Sequence, residues 1–183
     1  MPDTPEGPFE PDPEPWHPPE DDADELPTNR AVLEIPEPVR PIDWNSLSAE
    51  EAEAEWRDLD QWVDWLRRTY GLPATIVPPL WHRHDELVWE LSALQTHWRE
   101  CYDPNSSGSA PLQWHHDFTE ARARLREWVS TCGTRIDRDR PTRQTPWPGE
   151  ADAGTTAENP IPNRRADFEQ FLAEDAAARK STN

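Results

Sequence analysis

The distribution of proline limits what this chain can fold into. Twelve of its 22 prolines lie in residues 1–44, with thirteen acidic residues and only two basic ones, Arg30 and Arg40. Proline removes a backbone donor, and a segment this acidic cannot bury enough apolar surface to fold. We therefore expect residues 1–44 to form a disordered, acidic, Pro-rich tail with polyproline II character.

Tryptophan marks the part of the chain that can fold. The chain has 11 tryptophans despite a mean hydropathy of -1.01, and most of them lie between Trp44 and Trp128. Each buried tryptophan removes a large apolar area from water. The sequence therefore predicts a compact, aromatic-rich core within this window.

The first helix signal is the segment SAEEAEAEWRDLDQWVDWLRRTYG. Ser48 followed by Glu51 forms a capping box, Arg67 and Arg68 lie in the last turn, and Gly71 is placed to end the helix. Its apolar residues share one face at a period of 3.6: Trp56, Leu59, Trp62, Val63, Leu66 and Tyr70.

The second predicted helix starts near His84 and Asp85 and runs to Tyr102. Its apolar residues recur at spacings of four and three, which is typical of an amphipathic helix: Leu87, Leu91, Leu94, Trp98 and Cys101. Residues 72–80, LPATIVPPL, contain three prolines and several β-branched residues. We expect this stretch to be an extended apolar connector between the first two helices.

The third predicted helix follows a polar loop at residues 103–111, DPNSSGSAP. It is expected to start near Asp117, with Glu120 three residues later, and to end at Gly133. Its inward residues are predicted to be Phe118, Ala121, Leu125, Trp128, Val129 and Cys132.

The remainder of the chain predicts a linker and one more helix. Residues 134–162 are rich in Pro, Gly, Thr and charged residues, and Asn163 can cap a short helix that ends near Arg179 and Lys180. The overall prediction is an all-α fold, a small three-helix bundle with added tails. Its parts are a disordered tail at 1–44, the bundle at 45–133, a Pro-rich linker at 134–162 and a short C-terminal helix at 163–183.

Ten residues have side chains that could ligate a metal: His82, His84, Asp85, Glu86, His97, Cys101, His115, His116, Asp117 and Cys132. In an up-down-up bundle, His97, Cys101, Asp117 and either His115 or His116 would meet at one pole. Cys132 would lie about 20 Å away along helix three, nearer the His82 to Glu86 end. Because no C-x-x-C or H-E-x-x-H spacing occurs, we predict no metal site and keep that pole as the alternative.

The stretch WHRHDEL, residues 81–87, combines two histidines with two acidic residues. Each of them has a structural interpretation: Trp81 packs on the first turn, His84 caps the helix, and Asp85 and Glu86 complement its dipole. Neither a nucleophile motif nor a phosphate-binding loop occurs elsewhere. The sequence therefore predicts no catalytic residue and no cofactor.

The charge of the chain limits its partners. The formal net charge of -19 opposes direct binding to nucleic acid or to an anionic membrane surface. We find no secretory signal and no run of roughly 20 apolar residues that would span a membrane. Two cysteines without a signal are expected to be thiols in the cytoplasm, buried as small hydrophobic residues.

Residues 80–133 contain a Trp and a His that precede a helix with a Glu-Leu-x-Ala-Leu core and a Trp near its end. A second Trp-His element follows. This pattern resembles a family of small uncharacterised actinobacterial proteins. The matching positions are Trp81, His84, Glu90, Leu91, Ala93, Leu94, Trp98, Tyr102, Trp114, His115 and Cys132. The resemblance covers less than a third of the chain. It implies a setting among plasmid, integrative-element and phage genes, but no reaction and no catalytic residue.

The function predicted from these observations is a non-enzymatic accessory or adaptor protein that binds another protein. The residues predicted to contact a partner are Trp16, Trp65, Phe168, Phe171 and Leu172, and Trp65 falls beside the apolar face of its helix. Homo-oligomerisation is a further option.

Two alternatives from other classes stay open. One is an acidic inhibitor that imitates DNA, suggested by the carboxylates of helix one: Glu50, Glu51, Glu53, Glu55, Asp58, Asp60 and Asp64. The other is a metal-dependent enzyme that uses the pole at His97.

Overall fold

The structure, a computed structural model, describes residues 40–142, 144–151 and 157–182, all of them in one compact unit. The elements are α1 (Ala49–Thr69), a 3-10 turn (Trp81–Arg83), α2 (Asp85–Cys101), α3 (Ala110–Cys132), β1 (Arg138–Asp139), β2 (Asn159–Pro160) and α4 (Arg164–Thr182). The predicted all-α bundle is confirmed. None of the helices in these ranges is both long and apolar enough to cross a membrane.

Helix α1 begins and ends as its sequence predicts. The Ser48 hydroxyl accepts from the backbone N–H of Glu51 at 3.3 Å, and the Glu51 carboxylate accepts from the backbone N–H of Ser48 at 2.9 Å. The backbone after the helix reverses at Gly71, whose φ is 59°. The predicted apolar face is buried except for Tyr70, which is half-buried, while Trp65 points to solvent.

The core is built from two helix pairs. Helix α2 packs mainly on α3, and α4 packs mainly on α1. The connector contributes Leu72, Ile76 and Val77 to the same core, as expected for its apolar run. It is not extended as predicted, because the backbone N–H groups of Ile76 and Val77 donate to the Pro73 carbonyl and close a turn. The tail boundary predicted at residue 44 is too late, because Trp44 is buried and its indole N–H donates to the Ser92 hydroxyl at 2.8 Å. Residues 1–39 of the predicted tail, with Trp16, lie outside the described residues.

Helix α3 starts seven residues before the predicted position. It begins at Ala110 with Pro111 in its first turn, where a missing N–H costs nothing. Asp117 therefore lies inside the helix rather than at its start. The helix ends as predicted at Gly133, which has a φ of 75°. Trp128 was predicted to point inward, but 41% of its surface is exposed, and Trp114 in the first turns is fully buried instead.

The predicted linker contains ordered elements that tie it to the bundle. Strands β1 and β2 pair antiparallel, with Arg138 opposite Pro160 and Asp139 opposite Asn159. Asp139 is 4% exposed, so this stretch is partly buried rather than a free connection. Residue 143 and residues 152–156 lie outside the described part.

Helix α4 packs on the bundle. The Asn163 side chain caps it as predicted, accepting from the backbone N–H groups of Arg165 and Ala166 at 3.1 Å. Phe168 and Leu172 are buried, and the Phe171 ring meets the Trp56 ring edge-on at 4.9 Å. The interpretation of Phe168, Phe171 and Leu172 as partner-binding residues is corrected accordingly, because their contacts are made within the chain.

Candidate functional site

Two histidines are buried where the connector enters α2. The 3-10 turn is closed by backbone bonds from Arg83 N–H to the Leu80 carbonyl and from His84 N–H to the Trp81 carbonyl, both 3.1 Å. This turn places the side chains of His82 and His84 inside the protein, each 1% exposed. Two fully buried histidines need polar partners, since an unpaired buried imidazole is costly.

His82 is held by α4. Its Nε2 lies 2.9 Å from Asp167 Oδ2, and Arg83 Nε donates to the same oxygen at 2.8 Å. Burial lowers the pKa of His82 to about 4, since the bond to Asp167 is outweighed by burial together with the charges of Arg164 and Arg83. His82 is therefore a neutral imidazole near neutral pH, and its Nε2–H donates to Asp167.

His84, in contrast to His82, is a protonated imidazolium near neutral pH. Its Nε2 lies 2.7 Å from Asp139 Oδ1, and its Nδ1 lies 2.9 Å from the Thr142 hydroxyl. Burial alone would lower the pKa of His84, but hydrogen bonds to Asp139 and Cys132 outweigh it and raise the pKa to about 9. Burial likewise opposes the charge of Asp139, yet the bond to His84 holds the pKa of Asp139 below its usual value.

His84 was predicted to cap α2 with its side chain, and this prediction is wrong. The residue occupies the cap position, but its side chain makes no capping hydrogen bond. The reason is that both ring nitrogens are engaged by residues 139 and 142. These partners lie 55 and 58 residues away in the sequence, so no local pattern indicates them.

A cysteine and a glutamate complete the surroundings of His84. One ring nitrogen of His84, a carboxylate oxygen of Glu86 and the Cys132 sulfur all lie within 4.8 Å of one another. The Thr142 hydroxyl donates to Glu86 Oε1 at 2.7 Å. Cys132 lies at the end of the bundle that antiparallel helix geometry predicts. Asp139, from the predicted linker, is the member of this group that the sequence does not indicate.

The predicted cluster at the opposite pole does come together. Asp117 accepts from His97 Nε2 and from His116 Nδ1, each at 3.0 Å. The Cys101 sulfur lies 3.7 Å from both ring nitrogens of His97, so it does not lie along the lone pair of either. The hydrogen bond to Asp117 raises the pKa of His116, whose side chain is largely exposed.

This pole is therefore an open surface rather than a ligand set. It borders a cavity of about 550 Å³ that is also lined by Ser106, Ser109 and Leu112. Within the described ranges, only His84, Glu86 and Cys132 bring three ligand atoms close enough for one ion.

A second cavity, of about 380 Å³, lies between α1 and the connector. Its apolar wall includes Val63, Val77 and Trp81. The carboxylate of Asp60 on its rim binds the Arg164 guanidinium. Asp64, also on the rim, is bound by Arg67 and Arg68, each at 2.8 Å. Both carboxylates are thus held as ion-pair partners rather than as free acids or bases.

Three aromatic side chains form a continuous surface across α1 and α2, here called the aromatic patch: Trp65, Trp98 and Tyr102. The Trp65 and Trp98 rings lie 5.0 Å apart, and the Trp98 and Tyr102 rings lie 5.4 Å apart. Trp65 is 38% exposed and Tyr102 is 43% exposed. The exposure of Trp65 agrees with its predicted position beside the apolar face of its helix.

The described part of the chain is thus a mostly helical bundle with a buried histidine and carboxylate centre and an exposed aromatic patch. Comparison of the chain with protein-family models, with curated proteins and with solved structures gives no match.

Proposed function

We propose that this protein is a non-enzymatic adaptor that binds a partner protein through the aromatic patch. The observation that carries the proposal is the contact series Trp65, Trp98, Tyr102, in which two exposed rings pack on either side of the half-buried Trp98 ring. Tryptophan and tyrosine are the residue types enriched at the energetic centres of protein interfaces. Rings that are already held by their neighbours also lose little conformational freedom on binding.

The charge of the chain defines the chemistry of the partner. With a formal net charge of -19, the protein attracts a basic protein surface and repels an acidic one. The partner is therefore expected to present apolar side chains to the aromatic patch, surrounded by lysine and arginine. Nucleic acid does not fit this description, because its phosphates would be repelled.

Imitation of DNA has less support than the adaptor function. Such an inhibitor needs free carboxylates, but four of those on α1 are bound to arginine: Glu53, Asp58, Asp60 and Asp64. Glu51 is engaged in the capping box. The series of unpaired charges on which this alternative depends is therefore largely neutralised.

A metal-dependent enzyme at His97 also has less support. The geometry of His97 and Cys101 does not direct both donors at one point, and Asp117 already binds two histidines. The resemblance of residues 80–133 to the actinobacterial family agrees with an accessory role. We extend the proposal to the setting that this resemblance implies, a mobile genetic element in a bacterial cytoplasm.

The test compares two pairs of surface tryptophan or tyrosine substitutions. The full chain captures proteins from a host lysate, and recovery is quantified by mass spectrometry for wild type, for Trp65→Ser with Tyr102→Ser, and for Trp89→Ser with Trp128→Ser. Trp89 and Trp128 are matched controls, since they are 40% and 41% exposed on α2 and α3. All variants are first shown to melt like the wild type.

We expect a basic protein whose recovery falls by about tenfold or more in the patch variant, since the loss of an interface hot spot costs about 2 kcal/mol. The control variant, Trp89→Ser with Trp128→Ser, should recover the same protein at the wild-type level. Equal loss in both pairs, or no protein that depends on the patch, contradicts the proposal. Self-association of the pure chain through the patch, seen by light scattering, would replace the adaptor with a homo-oligomer.

Deletion of residues 1–39 separates the aromatic patch from the predicted tail residue Trp16. If the deleted chain still captures the partner, the patch carries the contact. If capture is lost while the patch variant retains it, the contact belongs to the tail, and the proposal for the patch fails.

A further inference from the structure

We propose that His84, Glu86 and Cys132 form a binding site for a structural Zn²⁺ ion, with Asp139 as the residue that positions His84. The site is independent of the adaptor function, because it lies in the buried centre and shares no residue with the aromatic patch. The basis is the set of donor atoms, their separations and their burial.

The donor set is one that zinc prefers. Zinc in proteins is bound by cysteine thiolate, histidine nitrogen and carboxylate oxygen. One atom of each type is present here, and the three lie within 4.8 Å of one another. They come from the start of α2 and the end of α3, so one ion would join two helices.

The spacing of His84 and Glu86 fits a shared ion. Nδ1 of His84 lies 3.9 Å from Glu86 Oε1. At the tetrahedral angle of a structural zinc site, two bonds of about 2.0–2.2 Å place their donor atoms about 3.4 Å apart, so the two groups need to approach each other by only about 0.5 Å. The Thr142 hydroxyl lies between the two groups, 2.9 Å from Nδ1 and 2.7 Å from Oε1. This hydroxyl is the polar atom that the ion would displace or take as a further oxygen donor.

Asp139 supplies the outer contact that a zinc-bound histidine usually makes. A metal-ligating imidazole donates its other ring N–H to a carboxylate or carbonyl, which fixes the ring and makes it a better donor. The Nε2 atom of His84 lies 2.7 Å from Asp139 Oδ1, which leaves Nδ1 facing Glu86. The ring is therefore oriented for coordination by a residue that is itself 4% exposed.

Burial assigns the ion a structural rather than a catalytic role. Cys132 is 0% and His84 1% exposed, so a substrate has no access to them. A dication bound by one thiolate and one carboxylate is neutral overall, which limits the cost of placing it in the interior. The ion would hold α2 and α3 to β1 through Asp139, in the part of the chain that was predicted to be a linker.

The test uses Co²⁺ as a spectroscopic substitute for Zn²⁺, added to the full-length, metal-free protein carrying no histidine tag. Binding at this site produces a thiolate-to-cobalt charge-transfer band at a stoichiometry of one, and Zn²⁺ abolishes it. The chain has two cysteines, so Cys101→Ser is the matched control. The band should persist in Cys101→Ser and disappear in Cys132→Ser.

Absence of the band in the wild type overturns the proposal. Its loss in Cys101→Ser also overturns it, by assigning the ion to the His97 pole, and this result does not require Cys132→Ser to fold. Asp139→Asn tests the positioning role: the band should remain, while Zn²⁺ affinity falls by about 10- to 100-fold. An unchanged affinity would remove Asp139 from the site.

Discussion

His82 and His84 lie on the same turn, yet each is bound by a different aspartate and the two rings carry different charges. Asp167 of α4 binds His82, while Asp139 of β1 binds His84. Burial, assisted by positive neighbours, lowers the pKa of the first to about 4, whereas hydrogen bonds to Asp139 and Cys132 overcome burial and raise the pKa of the second to about 9. One short turn thus contains two groups with opposite pH dependence.

Stability of the metal-free protein should therefore fall on both sides of about pH 6.5, the unfolded-state pKa of histidine. The contribution of His84 to the free energy of unfolding is complete below that pKa and is lost as pH rises through about 9. The contribution of His82 is complete above it and is lost as pH falls towards about 4. Each full titration corresponds to on the order of 3 kcal/mol. Urea unfolding in chelator across this pH range measures both, and a flat profile would contradict the assignment.

Asp139→Asn should remove the alkaline loss of stability selectively. Without the anionic partner, the burial of His84 dominates, so its pKa should fall and the ring should become neutral. We expect the variant to be destabilised at neutral pH by about 3 kcal/mol, the usual cost of breaking a buried pair. Asp167→Asn is the matched change at the neighbouring histidine. If Asp139→Asn retains the alkaline transition, another group is responsible for it.

Gly133→Ala should destabilise the protein more than Gly71→Ala. Both glycines have a positive φ, 75° and 59°, so alanine carries a strain of about 1–2 kcal/mol at either position. At Gly71 an added Cβ meets no atom within 4 Å, but at Gly133 it would lie 2.9 Å from Cζ of Arg140, which must move. Chemical denaturation of the two variants isolates this close approach. Equal losses would show that Arg140 moves without cost.

Phe168→Ala should destabilise the whole bundle by about 3 kcal/mol, because it leaves a cavity in a packed interface. Its ring is 4% exposed and meets the His82 ring edge-on at 5.2 Å. Leu112→Ala on α3 is the control, since Leu112 is 72% exposed and should change stability by no more than about 0.5 kcal/mol. A melt of Phe168→Ala that matches the wild type would mean that α4 does not contribute to the fold in solution.

The features of the fold that could be predicted from the sequence are those determined by neighbouring residues. The capping box at Ser48 and the glycine after α1 depend on residues a few positions apart, and both ends of that helix are confirmed. The predicted start of α3 was wrong because Asp117 and Glu120 have the spacing of a capping box, whereas Pro111 lies in the actual first turn. Two helix-start signals thus occur within a few residues, and the structure uses the proline.

The buried centre could not be predicted, because its partners are distant in the sequence. His82 binds a residue 85 positions away, and His84 binds one 55 positions away. Local composition indicated that Asp139 belongs to a charged linker, and only tertiary packing buries it. Cys132 was correctly brought towards His84 by helix geometry, but without Asp139 the two residues had no evident relation.

The pairing of α1 with α4 has a consequence for how the chain folds during synthesis. Arg57 of α1 donates to Glu169 of α4, a residue 112 positions later, and Trp56 meets Phe171 on the same interface. The tryptophan-rich face of α1 therefore leaves the ribosome long before α4, the helix that buries it, has been synthesised. Helices α2 and α3 can close on each other in the meantime, while the exposed face of α1 is open to chaperones and to aggregation. Expression yield should thus depend on how quickly translation reaches α4.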